Sequence, residues 1–217
     1  MKRQPKGRRS RPLRRVNTEI LEAYLERAKS RIVERDLRGA IGDYSKVLKV
    51  QPENETARTN RGALHALRGH HRRALADFNR AITTNPKAIT ALYNRATIEL
   101  RLDAFDDAIR DLTRVIELEP GHKEAHGNRG ATRALLRDLD GAIEDLDRAI
   151  GLDPEDLLAR YNRAVVRLKR GDFHGASADA RFCMAFAPRD WDLLDRVRQV
   201  LVNAEKSMES APRPPAA

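Results

Sequence analysis

Residues 89–122 read ITALYNRATIELRLDAFDDAIRDLTRVIELEPGH, and this stretch decides the fold. Its apolar spacing predicts a first helix over Ile89–Leu102, a turn at Asp103-Ala104 and a second helix over Asp106–Leu118. Pro120 ends the second helix, because proline has no N–H to extend the hydrogen-bond ladder. Moving outward, Pro120 has counterparts at Pro52, Pro86, Pro154 and Pro188, each 34 residues from the next. An alanine stands twelve residues ahead of every one, at Ala40, Ala74, Ala108, Ala142 and Ala176, and a small residue twelve earlier still, at Ala28, Gly62, Ala96, Gly130 and Ala164. Such a fixed period marks an array of one repeated unit.

Large apolar residues fill two further columns: Tyr44, Phe78, Leu112 and Leu146 in one, and Leu48, Ile82, Ile116, Ile150 and Met184 in the other. Small residues held opposite large ones put two helices in close contact. The expected domain organisation is therefore five helix-turn-helix units within 17–190, at 21–54, 55–88, 89–122, 123–156 and 157–190. Gly69 and Gly171 mark two of the turns, with Asp36, Asp138 and Asp172 nearby. The fifth unit departs from the pattern, since Ser177 and Ala180 replace larger residues while Phe182, Met184 and Phe186 add apolar surface that calls for a cover. A capping helix over 191–207, started by Asp190 and carrying Trp191, Leu194, Val197 and Leu201 on one stripe, is expected to supply it. Residues 208–217, with three prolines, are expected to be a disordered tail, and residues 1–16 a disordered basic arm.

The spacing, the small residue of the first helix, the small-then-large pattern of the second and the closing proline resemble the tetratricopeptide repeat. The resemblance covers Leu21–Asp190. It implies an all-α, right-handed solenoid of five helix pairs plus the capping helix, with the first helices lining a concave side that binds proteins or peptides. One departure is that Tyr24, Arg58, Leu92, His126 and Arg160 stand where the family usually has tryptophan.

Charge is unevenly placed. Lys2, Arg3, Lys6, Arg8, Arg9, Arg11, Arg14 and Arg15 give residues 1–15 eight positive charges and no acid, out of a net charge of +10. The arm is thus a candidate anion-binding segment, with nucleic acid or an acidic lipid surface as the alternative partner. No stretch is apolar over the roughly 18 residues of a membrane-spanning helix, and no signal-type segment follows the basic residues. The single cysteine, Cys183, excludes an internal disulfide, so a cytoplasmic protein is expected. No phosphate loop, nucleophile elbow or zinc-protease motif occurs, so no catalytic residue, metal ligand, cofactor or small-molecule substrate is expected. His122 and His126, four residues apart, and His70 and His71 are read as structural or turn residues, and Cys183 as a small buried apolar residue.

Two polar columns recur in every unit. Arg27, Arg61, Arg95, Arg129 and Arg163 precede the small contact residue, and Asp43, Asp77, Asp111, Asp145 and Asp179 precede the large one. Equal numbers at the edge of one contact predict an internal ion-pair ladder within each repeat, with a bond to the neighbouring repeat as the alternative. Asn60, Asn94, Asn128 and Asn162 precede the arginines and lie about 200° from the helix contact, on the opposite face. An amide has donors and an acceptor for a peptide backbone, and the column resembles the peptide-holding asparagines of some members of the family. Thr59, Tyr93, Tyr161, Arg101 and Lys169 complete the expected groove. The lysine and arginine clamp of chaperone-tail-binding members is missing except at Lys29, so a segment of acidic and apolar character is the expected ligand.

Overall fold

The computed structural model describes residues 12–210, with side chains from residue 18 onward. They form eleven α-helices, with no strand among the described residues: α1 (Pro12–Val33), α2 (Leu37–Val50), α3 (Glu55–Leu67), α4 (His71–Thr84), α5 (Ile89–Arg101), α6 (Phe105–Leu118), α7 (Lys123–Leu135), α8 (Leu139–Leu152), α9 (Leu157–Arg170), α10 (Phe173–Phe186) and α11 (Leu194–Ser210). This is the all-α repeat fold expected from the period, with five helix pairs and a final helix. The bounds differ at the ends. α11 runs to Ser210, so residues 208–210, expected in the disordered tail, are helical. The arm expected over 1–16 gives way to helix at Pro12, a residue suited to a first helical turn because its missing N–H is unused there. The final helix starts at Leu194 rather than 191, since backbone bonds from Trp191 to Pro188 and from Leu194 to Trp191 hold the preceding residues in turns.

Each repeat turns through one residue in the left-handed conformation, at positions 34 apart: Arg35, Gly69, Asp103, Arg137 and Gly171, with φ of 61°, 72°, 57°, 68° and 87°. Only two are glycine, so at Arg35, Asp103 and Arg137 the left-handed residue itself carries no glycine signal, although the turns were expected there. A side chain in this region costs about 1–2 kcal/mol, against an entropy cost of roughly 0.5–1 kcal/mol for glycine. Arg137→Gly is therefore expected to stabilise the protein by about 0.5–1 kcal/mol. A urea midpoint that is unchanged or lowered would contradict this.

The described residues divide into two compact units, one ending at Ile98 and the other beginning at Glu99. In the first, Tyr44, Val47, Ala28 and Ala40 pack with Leu21, Ala57 and Leu64, while Phe78 packs with Ala74, Ala81, Ala91 and Ile98. In the second, Leu146, Ala142 and Ala149 pack with Ala134, Ala159 and Val166. The last pair is closed by α11, whose Val197 and Val200 lie against Ala164, Ala180 and Cys183, with Met184, Trp191 and Leu201 around them. Arg181 of α10 also bonds Glu205 of α11 at 2.8 Å. The cover expected over Phe182, Met184 and Phe186 is partial. Met184 joins the α11 cluster, whereas Phe182 and Phe186 stack on each other at 4.5 Å and Phe186 remains 67% exposed.

The polar columns knit the pairs together. In four repeats an arginine grips the aspartate sixteen residues later with two parallel bonds: Arg27 on Asp43, Arg61 on Asp77, Arg129 on Asp145 and Arg163 on Asp179, all at 2.6–2.9 Å. These carboxylates are buried. The remaining guanidinium nitrogen reaches the preceding repeat sixteen residues back: Arg61 to Ser45, Arg95 to Asn79, Arg129 to Thr113 and Arg163 to Asp147. Both expected partners of the arginine are thus real, within the repeat and next to it. A second arginine, one turn on, adds a bond to the same aspartate in three repeats: Arg31, Arg133 and Arg167. Each also donates to a glycine carbonyl eight residues on, at Gly39, Gly141 or Gly175.

Candidate functional site

The asparagine column sits mid-helix on α3, α5, α7 and α9, and all four side chains are half-buried. They are not equivalent. Asn60 hydrogen-bonds the phenol of Tyr44, the large residue of the preceding repeat, and this bond opposes the rise that burial imposes on the Tyr44 pKa. The corresponding large residues elsewhere are Phe78, Leu112 and Leu146, which have no hydroxyl. Among the described residues, no hydrogen bond engages the side chains of Asn94 or Asn162. Asn128 does have a polar interaction.

The expected neighbours are only partly available. Thr59 is a correction: it is buried, and its hydroxyl donates to Glu55 one turn back at 3.0 Å, so it offers nothing to a groove. Tyr161 is half-buried: part of its ring packs against the cluster closed by α11 and meets Trp191 edge-on at 6.5 Å. Tyr93 is half-buried on α5 in the first unit, beside Asn94. Arg101 and Lys169 are exposed near the ends of α5 and α9. Lys169 follows Asn162 by two helical turns on α9, whereas Arg101 belongs to the second unit and Asn94 to the first. Of the arm, Lys2, Arg3, Lys6, Arg8, Arg9 and Arg11 lie outside the described residues, while Arg14 and Arg15 fall within α1.

The residues read as structural take structural positions. His122 caps α7, its ring nitrogen accepting from the Ala125 amide. His126 is buried, with Nε2 3.1 Å from the Pro120 carbonyl and Nδ1 3.5 Å from Asp145. Cys183 is fully buried and its thiol is pushed up to about 11, mainly by burial, which removes the thiolate needed for nucleophilic chemistry. Among the described residues, no group of three or more His, Cys, Asp or Glu is placed to hold a metal ion, and no helix is long and apolar enough to cross a membrane.

One surface feature went unread as a site. Phe182, Phe186, Leu157, Pro154 and Pro188 line a cleft of about 550 Å³, with Arg160 stacked 3.7 Å from the Phe182 ring. Its signal in the sequence is the set of apolar residues at exposed positions of the fifth repeat, which the expectation of a cover by α11 absorbed.

A family model described as tetratricopeptide repeat matches residues 25–89, 68–123, 93–156 and 136–181. A sequence search of curated proteins gives no match. Among solved structures, a tetratricopeptide repeat protein from Parabacteroides merdae is similar at 23% identity and a TM-score of 0.74, covering 88% of this chain and 77% of that one. MamA is similar at 20% identity and 0.67, covering 91% and 100%. YrrB, described as a repeat protein of this kind with an unusual peptide-binding site, is similar at 21% identity and 0.70, covering 84% and 90%. At these identities the likeness is one of fold.

Proposed function

We infer the function from one premise: this chain belongs to the tetratricopeptide repeat family. Proteins of this family are interaction scaffolds, and the reading proposed for this chain is a non-enzymatic adaptor. Its ligand is an extended peptide or partner helix held by the face of the first helices that carries the asparagines. The observation that supports this is the difference within the column, where Asn60 is spent on Tyr44 while the amides of Asn94 and Asn162 have no internal bond. A half-buried amide without a partner forgoes hydrogen bonds that a peptide backbone can supply. The description of YrrB as having a peptide-binding site is consistent with this use of the fold.

Selection of a random peptide library on the full chain tests the reading. Peptides that bind should lose about 1 kcal/mol of affinity, or roughly fivefold, on Asn94→Ala or Asn162→Ala for each backbone bond removed, with little change in melting. Asn60→Ala should behave in the opposite way, lowering stability. Selected peptides that bind both single variants with wild-type affinity would show that the column is surface.

A further inference from the structure

The first turn of α4 is unlike that of every other second helix. In repeats one, four and five, an aspartate caps the helix and accepts from the backbone N–H three residues on: Asp36 from Gly39, Asp138 from Gly141 and Asp172 from Gly175, at 2.9–3.0 Å. Arg31, Arg133 and Arg167 approach the same carboxylates at 3.5–3.6 Å. In repeat three, α6 has no side-chain cap but carries Asp106 and Asp107 in its first turn. Negative charge therefore meets the positive end of each of these four helix dipoles. α4 has neither device: its cap, His70, makes no side-chain bond, and its first turn contains no acid.

The three positions held in repeats one, four and five by arginine, aspartate and glycine are here His65, His70 and Arg73. The internal carboxylate has been replaced, and the charge around its place has become positive. Arg72 and Arg73 are exposed, and among the described residues neither guanidinium has an ion-pair partner. Asp77, one helical turn after Arg73, is already taken at both oxygens by Arg61.

A second observation points to a ligand. His65 is only 8% exposed, yet its Nδ1 has no hydrogen-bond partner among the described residues, and the same holds for Nδ1 of His70 and His71. The His65 and His70 rings lie 5.9 Å apart. With Arg73, Arg61, Asp77 and Ser45, His65 lines a cavity of about 390 Å³. It is a buried orphan imidazole at the wall of a cavity, beside a free guanidinium and an uncapped helix N-terminus.

We propose that this cavity at the first turn of α4 binds a phosphate group, which takes the place of the carboxylate that caps the helix in repeats one, four and five. Arg73 supplies a charge-assisted contact, the His65 and His70 rings supply donors, and the helix N-terminus supplies backbone N–H groups. Of the two guanidinium groups that line the cavity, Arg61 is held by Asp77 and Arg73 has no ion-pair partner among the described residues, so the unsatisfied charge at the wall is positive. The group could be inorganic phosphate or a phosphoryl group on a peptide, since the contacts are the same.

Calorimetric titration of the full chain with inorganic phosphate, together with melting in phosphate and in chloride at matched ionic strength, tests the proposal. The wild type should show a saturable site and a melting temperature raised by phosphate beyond the chloride control. His70→Asp with Arg73→Gly, which installs the residues of repeat one, should be at least as stable and should bind phosphate at least tenfold more weakly, because its own carboxylate fills the place. Lys87→Asp, which changes the charge by the same amount in the following loop, should keep the site. Titration with a phosphoserine peptide separates the sources: tighter binding than inorganic phosphate indicates a phosphorylated chain, and equal binding indicates the free ion. No saturable binding by the wild type, or equal weakening by the Lys87 control, would overturn the assignment.

Discussion

Arg129→Ala is expected to destabilise the second unit by roughly 3–5 kcal/mol, the cost of breaking a buried ion pair from one side. Asp145 is only 3% exposed and accepts two bonds from Arg129 and one from Arg133. Removing Arg129 leaves that carboxylate in the interior with Arg133 as its remaining bonded guanidinium, and it also cuts the bond to Thr113 of the preceding repeat. Asp145→Ala should likewise destabilise, although the freed guanidinium groups can turn towards water. The double variant should cost clearly less than the sum of the two, because the groups touch. Urea unfolding at low salt measures the cycle. Strict additivity would show that the contact contributes nothing, and a stable Arg129→Ala protein that loses a ligand would return the column to binding. The same arrangement makes stability fall in acid. Hydrogen bonds from Arg27 hold the Asp43 carboxyl below its usual range despite burial. The contribution of that carboxylate is therefore present at neutral pH and lost as the pH falls below about 4, through the folded value.

Ending the chain after Asp190 is expected to cost about 5 kcal/mol and to unfold α10 along with the deleted α11. Val197 is fully buried and Val200 nearly so, and each buried aliphatic of this size contributes roughly 1.5–3 kcal/mol, with Leu201 and Trp191 adding to the loss. An array end without its polar cover also exposes apolar surface. Cys183 reports the event, because its thiol is sealed beneath α11 in the whole chain. A thiol reagent at pH 8 should react slowly with the full-length protein and at the rate of the unfolded chain after truncation. Continued protection of Cys183 in the truncated protein would show that repeat five holds together without its cover.

Much of this was legible in the sequence because it repeats. The small residues at Gly62 and Gly130 lie under Phe78 and Leu146 as the columns required, and a methyl group added at either glycine would fall within 3 Å of the facing side chain. The Arg and Asp columns are readable from recurrence alone. The second arginine escaped that reading although its signal is present: an arginine eight residues before a glycine at Arg31, Arg133 and Arg167, where Gly39 and Gly175 leave room for the stems of Arg31 and Arg167. Other features were not legible for physical reasons. Helical periodicity tells which face of α9 Tyr161 occupies but not that Trp191, thirty residues on, lies over it. It places Thr59 on α3 but does not say that the hydroxyl finds Glu55 within the same helix. Arg35, Asp103 and Arg137 adopt a glycine conformation because the turn imposes it, not because their side chains favour it.

The contact between Arg181 and Glu205 bears on how long such an array can be. Tandem duplication copies a whole unit, and in four of the five units the arginine finds an acceptor in the unit before it. Ser45, Asn79, Thr113 and Asp147 each stand two residues past their aspartate and serve as that socket. At the same place in repeat five stands Arg181, a plug instead of a socket, already occupied by Glu205 of α11. A copy of the unit inserted after any of the first four repeats would meet a matching acceptor, whereas one appended after the fifth would set cation against cation. Arg181 thus adds a mismatch of charge to the apolar cover that α11 already lays over the last pair, and an array extended past this point would have to lose both.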